Sequence, residues 1–398
     1  MIHTGRHFLQ IPGPTNCPDR ILRAMDRPVI DHRGPEFAEL ALEILEGIRP
    51  IFKTSGPVIM YPGSGTGAWE AAIVNTLSPG DRVLMFEVGH FADLWRRMAQ
   101  SLGLDVDCVP GNWRRGADLQ QLEARLAADA AHQIKAVMVV QNETSTGAAS
   151  HIAEVRNIMD GARHPALLIV DAISSLGAID LRHDEWGIDV TIAGSQKGLM
   201  LPPGLSFNAV SEKALRANES ARMARAYWDW QDILKQNKAG FFPYTPPTNL
   251  LYGLRESIHM LEEEGLENVF RRHERHAQAT RAAVSRWGLE IVCEAPEEYS
   301  STVTAVFTPE GHNADNLRKV ILNNFDMSLG AGLSKLQGRA FRIGHLGSFN
   351  DLMLLGTLGG VEMGLRLARL PHREGGVMAA LERLAPSAAG MEQKPIAS

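Results

Sequence analysis

Between residues 58 and 210, short apolar runs alternate with segments of helical periodicity. The runs fall at 58–61, 83–86, 106–109, 136–140, 167–170, 190–193 and 205–210. Most are continuously apolar rather than alternating, which is how strands buried on both faces read. Alternation of this length predicts a mainly parallel, seven-stranded α/β sheet sandwiched by helices. Ahead of it, Phe37, Leu40, Ala41, Ile44, Leu45, Ile48 and Phe52 keep the spacing of one buried face. That spacing predicts a single amphipathic helix.

The flanks read differently. Residues 1–20 form a Pro/Gly-rich arm around Pro12-Gly13-Pro14, which cannot be helix or central strand because proline removes donors and fixes φ. The stretch 218–252 interrupts the rhythm with Tyr227-Trp228-Asp229-Trp230 and Phe241-Phe242-Pro243-Tyr244-Thr245. A helix is predicted over 249–261, ending in the solvated charge run 262–264. Beyond Gly265 the pattern becomes helix–strand–strand–helix, with strands expected at 290–294 and 303–307. The expected organisation is an arm (1–20), a large domain (21–262), a smaller α+β domain closing over it (263–386), and a frayed tail (387–398).

Composition narrows the function. The chain has 398 residues, 44% hydrophobic and 22% charged, with a net charge of −6, so no basic field suggests nucleic acid or an anionic membrane. Cys17, Cys108 and Cys293 are far apart and form no CxxC, which fits a reducing cytosol and argues against structural zinc. No apolar run reaches membrane-spanning length, and residues 1–8 carry no signal-like core. The expectation is a soluble cytoplasmic protein.

The chemistry concentrates at strand ends. Gly194-Ser195-Gln196-Lys197-Gly198 follows one apolar run and brings a lysine to a turn of small residues, while Asp171 ends another run. A lysine amine can condense with the aldehyde of pyridoxal phosphate, and a carboxylate can hold its pyridine nitrogen protonated. Ser64-Gly65-Thr66-Gly67 passes from a strand into a helix and looks like a phosphate cup, although small residues there also serve tight packing. After the next run, Phe91 or His90 could stack on a pyridine ring; a core phenylalanine is the alternative. Glu143-Thr144-Ser145 brings hydroxyls and a carboxylate suited to the cofactor's phenolic oxygen, or simply forms a polar turn. Arg342, on an apolar strand, carries a fork suited to a substrate carboxylate, with a structural salt bridge as the competing use.

Together these motifs resemble the class V, fold-type I aminotransferases that use pyridoxal 5'-phosphate, specifically the alanine–glyoxylate and serine–glyoxylate group. The likeness runs from Pro12-Gly13-Pro14-Thr15-Asn16 through GSGTGAWE, ETSTG, GSQK and FPYTPP to FRIGHLG. It implies Lys197 as the Schiff-base lysine and Asp171 as the pyridinium partner. It implies Ser64, Gly65 and Thr66 at the phosphate, Ser195 and Gln196 beside the cofactor, and Thr144 at the phenolic oxygen. Arg342 and Gly13 fall at the substrate. Phe91 stands where the alanine–glyoxylate enzymes stack a tryptophan. Thr245 belongs to a loop that, in this family, crosses to a neighbouring subunit, with Phe242 or Tyr244 reaching the phosphate. The resemblance therefore implies a homodimer, or dimer of dimers, with shared sites.

Rival functions leave other traces. A cysteine desulfurase would need a nucleophilic cysteine on a mobile loop, whereas Cys293 reads as part of a strand. A nonenzymatic relative would be expected to lose Lys197 or Asp171. Metal binding by His273 and His276 is crowded by Arg271, Arg272 and Arg275, so those histidines read as a solvated helix face. Transamination of glyoxylate to glycine is expected, with serine the favoured donor and aspartate the runner-up. Aspartate would need a second cation, for which Arg33, Arg339, His90 and His345 are candidates.

Overall fold

A computed structural model describes residues 4–385; the tail expected at 387–398 lies outside them. In chain order, the strands begin with β1 (Phe8–Gln10), β2 (Val58–Gly63), β3 (Arg82–Phe86), β4 (Asp105–Val109) and β5 (Ile134–Val140). A short hairpin follows, β6 (Asn142–Glu143) and β7 (Ala148–Ala149), then β8 (Leu167–Asp171), β9 (Val190–Gly194) and β10 (Gly204–Val210). The last three are β11 (Val303–Phe307), β12 (Met327–Ala331) and β13 (Ala340–Gly344).

Seven of these form one sheet in the order β2-β10-β9-β8-β5-β3-β4. Only β10 runs against its neighbours; every other pair is parallel. Every residue of β8 and β9 is buried, as their continuously apolar sequences require. Because β10 is antiparallel to both β2 and β9, β2 points the same way as the parallel strands. The C-terminal ends of β2, β3, β5, β8 and β9 therefore open on one edge, where α/β sheets place their ligands.

The second sheet, β1-β12-β13-β11, takes its edge strand from the N-terminal arm, with β1 parallel to β12. An apolar core around Leu317, Phe341, Ile343 and Leu358 lies under this sheet, separate from the core of the first. No helix among the described residues is long and apolar enough to cross a membrane.

Three local expectations change. The amphipathic helix expected to reach Phe52 stops at Gly47, and a short helix, Arg49–Phe52, restarts from Ile48. Pro50 has no N–H to return to Glu46, so the longer helix cannot continue through it. The strand expected at 290–294 is reduced to a single bridge, Ile291 to Val306. Its next backbone groups are taken elsewhere, since the Glu294 N–H donates to the Arg114 carbonyl and Arg114 Nε donates to the Val292 carbonyl.

His273 and His276, read as a solvated face, are both fully buried in helix Leu266–Trp287. The Gly347 N–H donates to His273 Nε2 at 3.1 Å, while Nδ1 lies 2.8 Å from the Val269 carbonyl. His276 Nε2 meets Asp351 at 2.9 Å. Burial lowers the pKa of both rings, His273 to about 3, so His273 packs as a neutral hydrogen-bonding group.

Candidate active site

Turns after β2, β3, β5, β8 and β9 meet the N-terminal arm around a cavity of about 260 Å³. Gly13, Ser64, Gly65, Thr66, Phe91, Thr144, Asp171, Gln196 and Lys197 all line it. Ser195, Thr245 and Arg342 do not. Trp69, Asn142, Ile173, Ser174 and Pro203 also line the cavity. Nothing in their spacing marked them for a role, because each is an ordinary helix, strand or turn residue until distant segments are brought beside it.

Lys197 sits at the centre, 8% exposed, with its amine donating to the Pro12 carbonyl at 2.6 Å. Thr15 fixes the same turn, its N–H donating to the Gln196 carbonyl and its hydroxyl to that of Lys197. A Cβ on Gly13 would overlap the lysine side chain, and Gly13 has φ +125°, so the arm approaches this closely only through glycine. Burial and the Arg342 charge lower the amine to about 8, while Asp171 pulls the other way.

The Asp171 carboxylate makes no ion pair among the described residues and receives two hydrogen bonds. The Ile173 N–H donates to Oδ1 at 2.8 Å and the Trp69 indole to Oδ2 at 3.0 Å. Burial nevertheless raises its pKa to about 7, with those bonds and Lys197 opposing the shift. A buried acid in this state is matched to a basic nitrogen that can share its proton.

Ser64 precedes helix Gly65–Thr76 and makes no side-chain cap. The first-turn amides thus point at the cavity edge without a capping side chain, a setting for an anion. Gly65 serves packing as well, since a Cβ there would overlap Ile173. Thr144 donates to Ser174 Oγ at 2.7 Å, and Ser174 donates to the Asn142 carbonyl at 2.8 Å. Gln196 Oε1 and Asn142 Oδ1 are buried without a partner among the described residues.

Glu143 works differently from the expectation that its carboxylate suits a phenolic oxygen. It accepts the Phe91 and Ala92 N–H groups at 3.1 and 3.0 Å and the Ser145 hydroxyl at 2.7 Å. It therefore caps helix His90–Ser101 from a distant strand end and holds Phe91 at the cavity wall. His90 does not line the cavity; its ring meets Phe91 edge-on at 5.3 Å.

Arg342 is 7% exposed and forms no salt bridge among the described residues. Its Nε donates to the Ala331 carbonyl at 2.7 Å and a terminal nitrogen to the Thr144 carbonyl at 3.1 Å. Burial lowers it to about 10, against the Glu143 charge. The second bond joins it to a residue of the cavity wall.

The Ser195 hydroxyl is committed to its own turn, donating to the Pro202 carbonyl at 2.9 Å. Thr245 is exposed. Neither Phe242 nor Tyr244 lines the cavity: Phe242 packs edge-on against Phe37, and the Tyr244 hydroxyl donates to the Met60 carbonyl. Cys293 is 1% exposed, and burial pushes its thiol up to about 11, the opposite of a reactive cysteine.

These residues fit pyridoxal phosphate. Among the described residues, a buried carboxylate without an ion pair, a lysine of lowered basicity, a helix start without a side-chain cap and two amide oxygens without a protein partner line one cavity.

The aminotransferase class-V family model matches residues 7–336. The chain is 51% identical to a serine–glyoxylate aminotransferase of Methylorubrum extorquens, over 91% of each chain. It is 45% identical to an L-aspartate–glyoxylate aminotransferase of Paracoccus denitrificans, over 98% of this chain and 99% of that one. The solved pyridoxamine–pyruvate aminotransferase of Mesorhizobium loti superposes with a TM-score of 0.89 at 26% identity, covering 97% of this chain and 99% of that one. The chain belongs to the class-V aminotransferase family and is a transaminase that works with pyridoxal phosphate.

Proposed function

We propose that this enzyme moves the amino group of serine to glyoxylate, giving glycine. The observation that carries the reading is Arg342, a buried guanidinium with no carboxylate partner among the described residues. Glyoxylate and serine each present one carboxylate to such a fork. Aspartate presents two, and the other candidate cations give its second little support. His345 is buried between Ser301 and Thr304, with its pKa far below the ordinary value through burial. Arg339 lies in a separate cleft over Phe307, Arg33 is exposed on a loop, and burial lowers His90.

In this reading the cofactor supplies, when bound, an aldehyde for the donor's amine and a ring that withdraws charge from its α-carbon. Lys197 acts as a free base that takes the α-proton and returns it, which its lowered pKa favours. Asp171 holds the proton of the ring nitrogen. Ser64, Thr66 and the helix start would hold the phosphate, and Gln196, Phe91 and Thr144, which line the same cavity, would hold the ring, Thr144 at the ring's phenolic oxygen. Gly13 gives the arm its close approach to Lys197, beside the donor's place at Arg342.

A large unit (21–262) and a small one (263–386) are supported by the two separate cores. A homodimer with shared sites is supported by the exposure of Thr245 on a single chain. A cytoplasmic location is supported by three cysteines, all of them free.

The second reading, aspartate as donor, is favoured by the relative from Paracoccus denitrificans. Giving the loaded enzyme serine, aspartate, alanine and glutamate in turn, each with glyoxylate, separates the two. Serine should lead in kcat/KM by at least about tenfold, roughly 1.4 kcal/mol of transition-state binding. Aspartate in the lead would reverse the assignment, and no glycine from any donor would remove glyoxylate from it.

A further inference from the structure

Only one of the two bonds that hold Asp171 comes from the backbone. The other is the Trp69 indole N–H on Oδ2. Trp69 is 2% exposed, lines the cavity and stacks on Trp95 with ring centroids 5.9 Å apart and planes 18° apart. Buried and stacked in this way, the indole presents its donor to Asp171, which at 4% exposure has little water to replace it. The surrounding charges are divided, since Glu143 disfavours the Asp171 anion and Lys197 favours it.

We propose that Trp69 is a positioning residue whose indole N–H keeps Asp171 an anion, so that the proton shared with the cofactor's ring nitrogen stays on the nitrogen. The proposal rests on the reading of Asp171 as the ring's partner. A carboxyl group and a pyridine nitrogen can share one proton in two arrangements, charged or neutral. A donor on Oδ2 stabilises the charged arrangement, because a hydrogen bond to an anion is about twice as strong as one to a neutral acceptor. Removing that donor should move the balance toward protonated Asp171 by about one pKa unit, tenfold in proton partition. The ring would then withdraw less charge. Proton removal by Lys197 would slow while carboxylate binding at Arg342 stayed the same.

The test uses Trp69→Phe, with Trp95→Phe as control. Trp95 Nε1 has no hydrogen-bond partner among the described residues, so Trp95→Phe disturbs the same stack without removing a bond seen there. Each apoprotein is loaded with pyridoxal phosphate labelled with 15N in the ring, and the nitrogen's chemical shift is read by NMR. Trp69→Phe should shift the signal toward the unprotonated value and lower kcat about tenfold, with KM for donor and acceptor within about twofold. Trp95→Phe should leave the signal protonated. Should Trp69→Phe fail to fold, β-(3-benzothienyl)alanine at position 69 keeps the shape and replaces the N–H with sulfur. An unchanged nitrogen signal in the Trp69 variant, or an equal shift in both variants, overturns the proposal. Asp171→Asn separates the two levels: if it leaves the nitrogen protonated, the reading of Asp171 itself fails. If Asp171→Asn removes the proton and Trp69→Phe does not, the role of Trp69 alone falls.

Discussion

Lys197 Nζ donates to the Pro12 carbonyl oxygen at 2.6 Å, joining residues 185 positions apart. The arm that provides Pro12 also supplies the edge strand of the second sheet. The lysine is thereby tied to both sheets.

That lysine should report its burial in a pH profile. Its amine is lowered to about 8, so it gains reactivity as pH rises through that value, because only the free base attacks an aldehyde. Roughly a tenth of the amine is free at pH 7 and most of it at pH 9. The rate at which apoprotein takes up pyridoxal phosphate, followed by absorbance, should rise to a plateau with a midpoint near about 8. Lys197→Ala should fold but show neither lysine-bound absorbance nor turnover. A rate still climbing past about pH 10 would give the lysine an ordinary solvent-exposed amine.

Gly13→Ala should be far more damaging than an added methyl group usually is. The new Cβ would overlap Lys197, and φ +125° is unfavourable for any residue with a side chain. The backbone term alone is about 1–3 kcal/mol. Cofactor affinity, titrated on the apoprotein, should fall by at least about tenfold, with a lower Tm. Wild-type affinity would mean that the arm can move aside at little cost.

Arg342→Lys replaces a fork with a point charge. If both carboxylates use this group, as proposed, KM for serine and glyoxylate should rise together, by about tenfold or more. Steady-state kinetics with each substrate varied in turn checks this. A lower Tm with unchanged kinetics would make Arg342 a brace between Ala331 and Thr144 and nothing more.

Mixing Lys197→Ala subunits with subunits damaged at Thr245 and Tyr244 should restore part of the activity. If the proposed dimer shares its sites, one of the two sites in such a hybrid would hold both intact halves. Proven subunit exchange without recovery would count against a shared site.

The sequence alone carried the sheet and the turns around the cavity, because these depend on neighbouring residues. Continuously apolar runs form strands buried on both faces, and Ser64-Gly65-Thr66 and Ser195-Gln196-Lys197 lie where such strands must turn. The family likeness rested on the same short motifs. Tertiary structure decided what those turns meet. Trp69 reaches Asp171 across 102 positions, a contact that no local pattern encodes. Glu143 became a helix cap because the start of helix His90–Ser101 was brought against it. His273 and His276 lie on a charge-rich helix that reads as solvated, yet residues 347–351 arrive from elsewhere to cover that face and supply their partners. The run at 290–294 has strand-like residues, and Glu290 and Val292 do bond to β11, but the pairing stops there because Arg114 takes the Val292 carbonyl and the Glu294 N–H. Periodicity records the chain's own preferences, whereas burial and hydrogen-bond partners belong to pairs of segments that are distant in sequence.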